Sequence, residues 1–123
     1  MARILIVEDN PLNLKLASVI LRAAGHLVLG AADSTEADIL IAQGKPDLIL
    51  MDMGLPGKDG YEFTRELRAR DSTRSVPIIA LTAFAMKGDR RKAIDAGCTE
   101  YLTKPIERVT LVDSVKTVLA ARP

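Results

Sequence analysis

The sequence PDLILMD occupies residues 46–52, with four consecutive apolar side chains between two aspartates. A short run that is apolar at every position is typical of a strand buried in a parallel sheet, because helices cover both faces of such a sheet. The sequence ILIV at residues 4–7 repeats the pattern and is also followed by carboxylates, Glu8 and Asp9. These segments therefore predict two buried strands that each end in acidic side chains.

Strands and helices are predicted to alternate along the rest of the chain. Further short apolar runs predict strands at residues 27–31, 78–81 and 101–102. Apolar side chains at helical spacing predict helices at residues 11–23, 34–43, 61–70, 87–96 and 106–121. The spacing in the first helix comes from Leu12, Leu16, Val19, Ile20 and Ala23, and Asn10 is its predicted cap. The alternation predicts an α/β fold, a doubly wound five-stranded parallel sheet with five helices, as one domain over residues 1–123.

The composition excludes several classes of function. Lys and Arg total 17 and Asp and Glu total 16, so the near-neutral chain lacks the charge of a nonspecific nucleic-acid binder. The single cysteine, Cys98, has no partner for a disulfide or a thiolate metal site and is interpreted as a small apolar residue in a reducing compartment. With no secretory or membrane-spanning segment recognised in the sequence, we expect a cytoplasmic protein that does not contact membranes.

The residues at the predicted strand ends carry the chemistry. Glu8 and Asp9 follow the first strand, Asp52 the third, Thr82 the fourth and Lys104 the fifth. Because the carboxyl ends of parallel strands meet at one edge of a sheet, these side chains are expected to converge. Crowded carboxylates repel one another, and their hard oxygen ligands suit Mg²⁺, which is the predicted cofactor.

A purely structural interpretation applies to each of these residues alone. An aspartate or threonine that ends a strand is most often a turn former or a helix cap. Their joint placement at one edge favours the functional interpretation, since packing requires no carboxylates there.

Four motifs resemble those of bacterial response-regulator receiver domains. They are ILIVEDN at residues 4–10, DLILMDMGLPGKDG at 47–60, IALTA at 79–83 and KP at 104–105. The resemblance covers essentially the whole chain and implies the flavodoxin-like (βα)5 version of the predicted fold. VEDN at residues 7–10 and TAFAMKGD at 82–89 are similar to single-domain receivers that relay a cell-cycle or developmental signal.

The resemblance implies a role for each strand-end residue. Asp52 is the implied phosphoacceptor, and Mg²⁺ is held by Glu8, Asp9, Asp52 and the backbone carbonyl of Gly54. By the same resemblance, Thr82 and Lys104 are expected to bind phosphoryl oxygens.

Further implied features lie close by. Tyr101 takes the place of the family's switch aromatic, although a tyrosine on a short strand is otherwise ordinary core. The peptide bond before Pro105 is expected to be cis. Gly54 and Phe84 stand where many relatives carry polar side chains, and this departure predicts slow self-dephosphorylation.

The expected function is signalling through a phosphoryl group received from a histidine kinase or histidine phosphotransfer protein. Because 19 residues follow Lys104 (123 − 104), we expect no output domain. A downstream protein is expected to bind the face of the fourth helix, fifth strand and fifth helix. The basic run from Arg90 to Lys92 is interpreted as a solvated helix face, and the single histidine, His26, as a loop residue.

Two other functions fit the fold less well. A small phosphatase with an aspartyl-phosphate intermediate usually has a second acid two residues beyond the nucleophile, where this chain has Gly54. A flavin-binding electron carrier needs a phosphate-cradling first loop, whereas Glu8 and Asp9 would repel the flavin phosphate.

Overall fold

Five strands and five helices alternate in the part of the chain that the structure describes, residues 2–83 and 88–121 of a computed structural model. The elements are β1 Arg3–Val7, α1 Pro11–Ala23, β2 Leu27–Ala31, α2 Ser34–Gln43, β3 Leu48–Asp52, α3 Gly60–Ala69, β4 Ile78–Thr82, α4 Asp89–Ala96, β5 Glu100–Thr103 and α5 Arg108–Ala120. The predicted start of the fourth helix at Lys87 lies outside the described residues. None of the described helices is long and apolar enough to cross a membrane.

The strands form one parallel sheet in the order β2-β1-β3-β4-β5. Val7 pairs with Met51, and Asp52 pairs with Leu81, so the carboxyl ends of β1, β3 and β4 lie side by side. The order of the strands reverses at β1, which opens a crevice beyond the ends of β1 and β3. The predicted doubly wound sheet is confirmed.

Side chains point alternately to the two faces of the sheet along each strand, so the core is divided into two layers. In β1, Leu5 and Val7 pack on the side of α2, α3 and α4. Ile4 and Ile6 pack on the opposite side, against α1 and α5. Every residue from Ile4 to Val7 is buried, as expected for the apolar run of a strand whose two faces are both covered.

The first helix differs from its predicted pattern. Leu12, Leu16 and Val19, which indicated the helix, are 78%, 43% and 56% exposed, and the buried side chains include Ile20 and Leu21. The helix carries apolar residues on two faces, and the sheet covers only one of them. Other boundaries shift slightly: α3 begins at Gly60, and α5 begins at Arg108 because the preceding residue is extended.

Helix α1 begins directly beyond the end of β1. The Asn10 side chain accepts hydrogen bonds from the N–H groups of Leu12 at 2.9 Å and Asn13 at 3.1 Å, and Pro11 is the first helical residue. The predicted cap at Asn10 is confirmed, and it fixes the turn that follows Glu8 and Asp9.

Candidate functional site

An open cleft lies beyond the carboxyl ends of the strands. Asp9, Asp52, Thr82 and Lys104 line it, so four of the predicted strand-end residues meet in one place. Glu8 lies beneath them, with its side chain 1% exposed. The convergence follows from the parallel pairing of β1, β3, β4 and β5.

Three carboxylates form an acidic cluster at the centre of the cleft. One oxygen from each of Glu8, Asp9 and Asp52 lies within 4.8 Å of the others. Glu8 and Asp52 are buried, and Asp9 is exposed. The N–H of Gly54 donates a hydrogen bond to Asp52 Oδ1 at 3.0 Å, which orients the carboxylate at the end of β3.

Lys104 brings a positive charge to two of these carboxylates. Its Nζ atom lies 2.7 Å from Glu8 Oε1 and 3.3 Å from Asp52 Oδ2. The backbone N–H of Lys104 donates to the carbonyl of Thr82 at 2.7 Å, and the following peptide bond, to Pro105, is cis. The hydrogen bond ties the main chain of Lys104 to β4, while the carboxylates of Glu8 and Asp52 hold its ammonium.

The two buried carboxylates of the acidic cluster, Glu8 and Asp52, have pKa values shifted in opposite directions. Burial, together with the neighbouring Asp52, raises the pKa of Glu8 to about 7. Burial acts in the same direction on Asp52, but hydrogen bonds from Glu8 and Gly54 and the Lys104 charge outweigh it, so the pKa of Asp52 is lowered. For Lys104, the two carboxylates outweigh burial and raise the ammonium pKa. Asp52 therefore ionises before Glu8, which at neutral pH is divided between its protonated and ionised forms.

The oxygen atoms of the acidic cluster are ligands of the kind that a divalent cation requires. Glu8 Oε1 is buried and takes part in no aligned hydrogen bond with the described residues, although Lys104 stands at ion-pair distance. A buried carboxylate oxygen with spare acceptor capacity, next to two further carboxylates, matches the oxygen ligands that Mg²⁺ selects. The structure thus provides a three-carboxylate site of the predicted kind.

The two predicted switch residues lie in different surroundings. Thr82 is 7% exposed at the end of β4 and lines the cleft. Tyr101 lines a separate groove between β5 and α5 and packs partly against the core beneath α4. Phe84, the second predicted departure from the family pattern, lies outside the described residues.

Sequence reasoning missed several residues that line the cleft, among them Asn13, Tyr61 and Asp89. Asn13 lies three residues after Asn10 on α1, a spacing from which its position could have been inferred. Tyr61 and Asp89 depend on how α3 and α4 are oriented against the sheet, which the sequence does not specify locally.

Other residues singled out in the sequence lie away from the cleft. Cys98 is 5% exposed, near Thr64, and burial raises its thiol pKa. His26 lies between α1 and β2, where its Nδ1 accepts a hydrogen bond from the N–H of Ala2 at 3.4 Å. Arg90 pairs with Glu100 of β5, as the side chains of a largely solvated helix face can.

Comparison with known proteins covers almost the entire chain. Residues 4–116 match the model of the response regulator receiver domain family. The polar-differentiation response regulator DivK of Brucella anthropi is 41% identical over 116 residues, which are 94% of each chain. The DivK of Brucella ovis is 40% identical over the same shares.

Solved structures share the fold. A putative response regulator from Chloroflexus aurantiacus superimposes with a TM-score of 0.92 at 36% identity, covering 97% of this chain and 98% of that one. The receiver domain of a sensor histidine kinase from Pseudomonas aeruginosa gives a TM-score of 0.89 at 42% identity, covering 98% of both chains. That domain was solved with a magnesium ion coordinated in its active site cleft.

Proposed function

Since this chain belongs to the response regulator receiver domain family, we propose that Asp52 is its phosphoacceptor and that phosphorylation of Asp52 switches a protein-binding surface. One observation carries the assignment. Asp52 combines a lowered pKa, a place in the cleft and a lysine 3.3 Å from its Oδ2 atom. Glu8, the other buried carboxylate, lies beneath the cleft, and its pKa of about 7 leaves it less fully ionised than Asp52 at neutral pH.

The proposed reaction is an in-line transfer from a phosphohistidine. A carboxylate oxygen of Asp52 attacks phosphorus, and the bond from phosphorus to the donor's imidazole nitrogen breaks. The imidazole leaves with the electron pair of that bond and takes up a proton from water. Lys104 and the Thr82 hydroxyl bind the oxygens of the transferred group, so that its charge is neutralised as it arrives.

We assign the metal site to Glu8, Asp9, Asp52 and the carbonyl of Gly54, with Mg²⁺ as the ion. A bound Mg²⁺ supplies positive charge that offsets both the acidic cluster and the phosphoryl oxygens. The carboxylates of this chain lie ready for the ion, since their oxygens are within 4.8 Å of one another before it binds.

The proposed donor is a histidine kinase or a histidine phosphotransfer protein. Helix α1 leaves Leu12, Leu16 and Val19 exposed, and the helix starts beside the cleft at Asn10. An exposed apolar stripe at helical spacing suits a helical partner surface. Its place next to Asp9 supports a protein donor that brings its phosphohistidine to Asp52.

The downstream protein is proposed to bind the face formed by α4, β5 and α5. Tyr101 belongs to this face and lines its groove with Leu102 and Ile106. Movement of Thr82 toward a phosphoryl group would change the space available to Tyr101, since β4 and β5 are paired neighbours.

We further propose that the chain is a stoichiometric phosphoacceptor and not an enzyme that turns over. Position 54 carries no second acid to activate water beside Asp52, because it is a glycine.

The test of this function is the intact mass of the protein after incubation with Mg²⁺ and a small phosphodonor such as acetyl phosphate. One added phosphoryl group per chain is expected, and the addition should fall sharply when the divalent ions are chelated. Labelling that proceeds at the same rate without divalent ions would contradict the metal assignment, and no labelling under any condition would contradict the function.

A further inference from the structure

Tyr61 stands between the cleft and helix α4. It lines the cleft with Asp52 and Asp89, and the Nζ atom of Lys92 lies 4.2 Å from the centre of its ring. An ammonium at this distance from an aromatic face makes a cation–π contact. Because Tyr61 belongs to α3 and Lys92 to α4, the contact joins two helices.

The start of α3 is packed directly against the end of β3. Gly60 is buried, and its N–H donates a hydrogen bond to the carbonyl of Met53 at 3.3 Å. A Cβ atom at Gly60 would overlap the carbonyl oxygen of Asp52 and lie 2.8 Å from the Cα atom of Met53. Because no free space separates Gly60 from this backbone, the start of α3, which carries Tyr61, is closely packed on the segment that carries Asp52.

Helix α4 has other contacts besides Lys92, and its buried Ala93 belongs to the same core cluster as Phe63 and Leu67 of α3. At the far end, Arg68 Nε donates to the carbonyl of Gly97 at 2.8 Å and fixes the last turn to α3. Near the start, Arg90 pairs with Glu100 at 3.1 Å but is 63% exposed. Lys92 is the member of the basic run that contacts α3 in the part of the chain the structure describes.

We propose that Tyr61 and Lys92 are a positioning pair that transmits the state of Asp52 to α4. The route runs from the end of β3 through Gly60 to the Tyr61 ring and then to Lys92. It begins on β3 and α3, whereas the route through Thr82 and Tyr101 runs along β4 and β5. The inference rests on the proposed function, because phosphorylation of Asp52 is the event transmitted.

The experiment is amide hydrogen exchange of residues 89–96 with and without beryllofluoride, a mimic of the phosphoryl group, in Mg²⁺. Lys92→Gln removes the cation and Tyr61→Leu removes the ring, whereas Lys92→Arg and Tyr61→Phe keep them. Arg91→Gln is the matched control, since Arg91 is 82% exposed and pairs within α4, with Asp95.

Beryllofluoride is expected to change exchange at residues 89–96 in the parent protein, and the change should fall to about half or less in Lys92→Gln and Tyr61→Leu. The conservative variants and Arg91→Gln should respond like the parent. Should Tyr61→Leu not fold, the exposed Lys92 decides the question alone.

Two results would overturn the proposal: a full response in Lys92→Gln, or no response at residues 89–96 in a parent protein that takes up a phosphoryl group. Intact mass is therefore measured in parallel on every variant. A parent protein that neither gains mass nor responds would instead contradict the proposed function, so the two failures are distinguishable.

Discussion

Lys104 forms its closer ion pair with Glu8, 2.7 Å from Nζ to Oε1, while its distance to Asp52 Oδ2 is 3.3 Å. Glu8 therefore holds the ammonium in place from below, and the opposite side of Lys104 faces the cleft. Lys104 can therefore contact a phosphoryl group on Asp52 while it keeps its ion pair with Glu8.

Removal of this ammonium is expected to slow labelling of Asp52 markedly. Lys104→Met should lower the rate with a small phosphodonor by about tenfold or more, because one hydrogen bond to a charged group contributes roughly 1.5–3 kcal/mol. The rate is measured by intact mass against time. Lys15→Met, at an exposed lysine of α1, is the control and should keep the parent's rate. Equal rates in parent and Lys104→Met would show that Lys104 does not stabilise the transferred group.

The stability of the metal-free protein should depend on the proton of Glu8. Its pKa rises from 4.5 to about 7 on folding, so the folded state binds this proton more tightly than the unfolded chain does. The free energy of unfolding in EDTA should therefore fall, by up to about 3 kcal/mol, as the pH rises from about 4.5 to 7. Above pH 7, Mg²⁺ should restore stability, because the deprotonated cluster binds the cation.

The measurement is urea unfolding across this pH range, with Glu8→Gln as the matched variant. This variant cannot lose a proton at position 8 and should show a flatter profile. Identical profiles for parent and variant would mean that Glu8 does not hold the proton.

Close approach at Gly60 makes an added methyl group destabilising. Gly60→Ala places a Cβ atom against the backbone of Asp52 and Met53 and should lower the free energy of unfolding by about 1–3 kcal/mol. At Gly54 the nearest atom to an added Cβ is Asp52 Oδ1 at 3.7 Å, so Gly54→Ala should change stability by less than about 0.5 kcal/mol. Denaturant midpoints compare the two, and equal midpoints would contradict the close packing of α3 on β3.

The open space at Gly54 offers a test of phosphoryl lifetime. An amide introduced by Gly54→Asn can hold water beside Asp52, and we expect it to speed loss of the phosphoryl group severalfold. Gly54→Ala adds bulk without a hydrogen-bonding group and should leave the lifetime close to that of the parent. The decay of the phosphorylated mass gives both rates. If Gly54→Asn decays no faster than Gly54→Ala, the glycine does not govern access of water.

The sequence predicted the fold and most of the cleft because both depend on local patterns. Runs such as Ile4–Val7 are apolar at every position only where both faces of a strand are covered. Parallel strands then bring their carboxyl ends together, so Glu8, Asp9 and Asp52 converge without further information.

The features that the sequence did not predict depend on packing between elements that are distant along the chain. The apolar spacing of α1 did not reveal which face is buried, since Leu12 and Leu21 lie on opposite sides of the helix and are equally apolar, and packing against the sheet buries only Leu21. Which carboxylate Lys104 approaches more closely, and the presence of Tyr61 and Asp89 in the cleft, follow from the placement of β5, α3 and α4.

The identity of the phosphorylated residue tests the account most directly. After labelling in Mg²⁺, borohydride reduction converts an aspartyl phosphate to homoserine, and peptide mass spectrometry locates it. We predict homoserine at position 52 alone, and no added mass in a folded Asp52→Asn variant. Homoserine at any other position of the parent, or stoichiometric labelling of Asp52→Asn, would contradict the assignment of Asp52 as the phosphoacceptor.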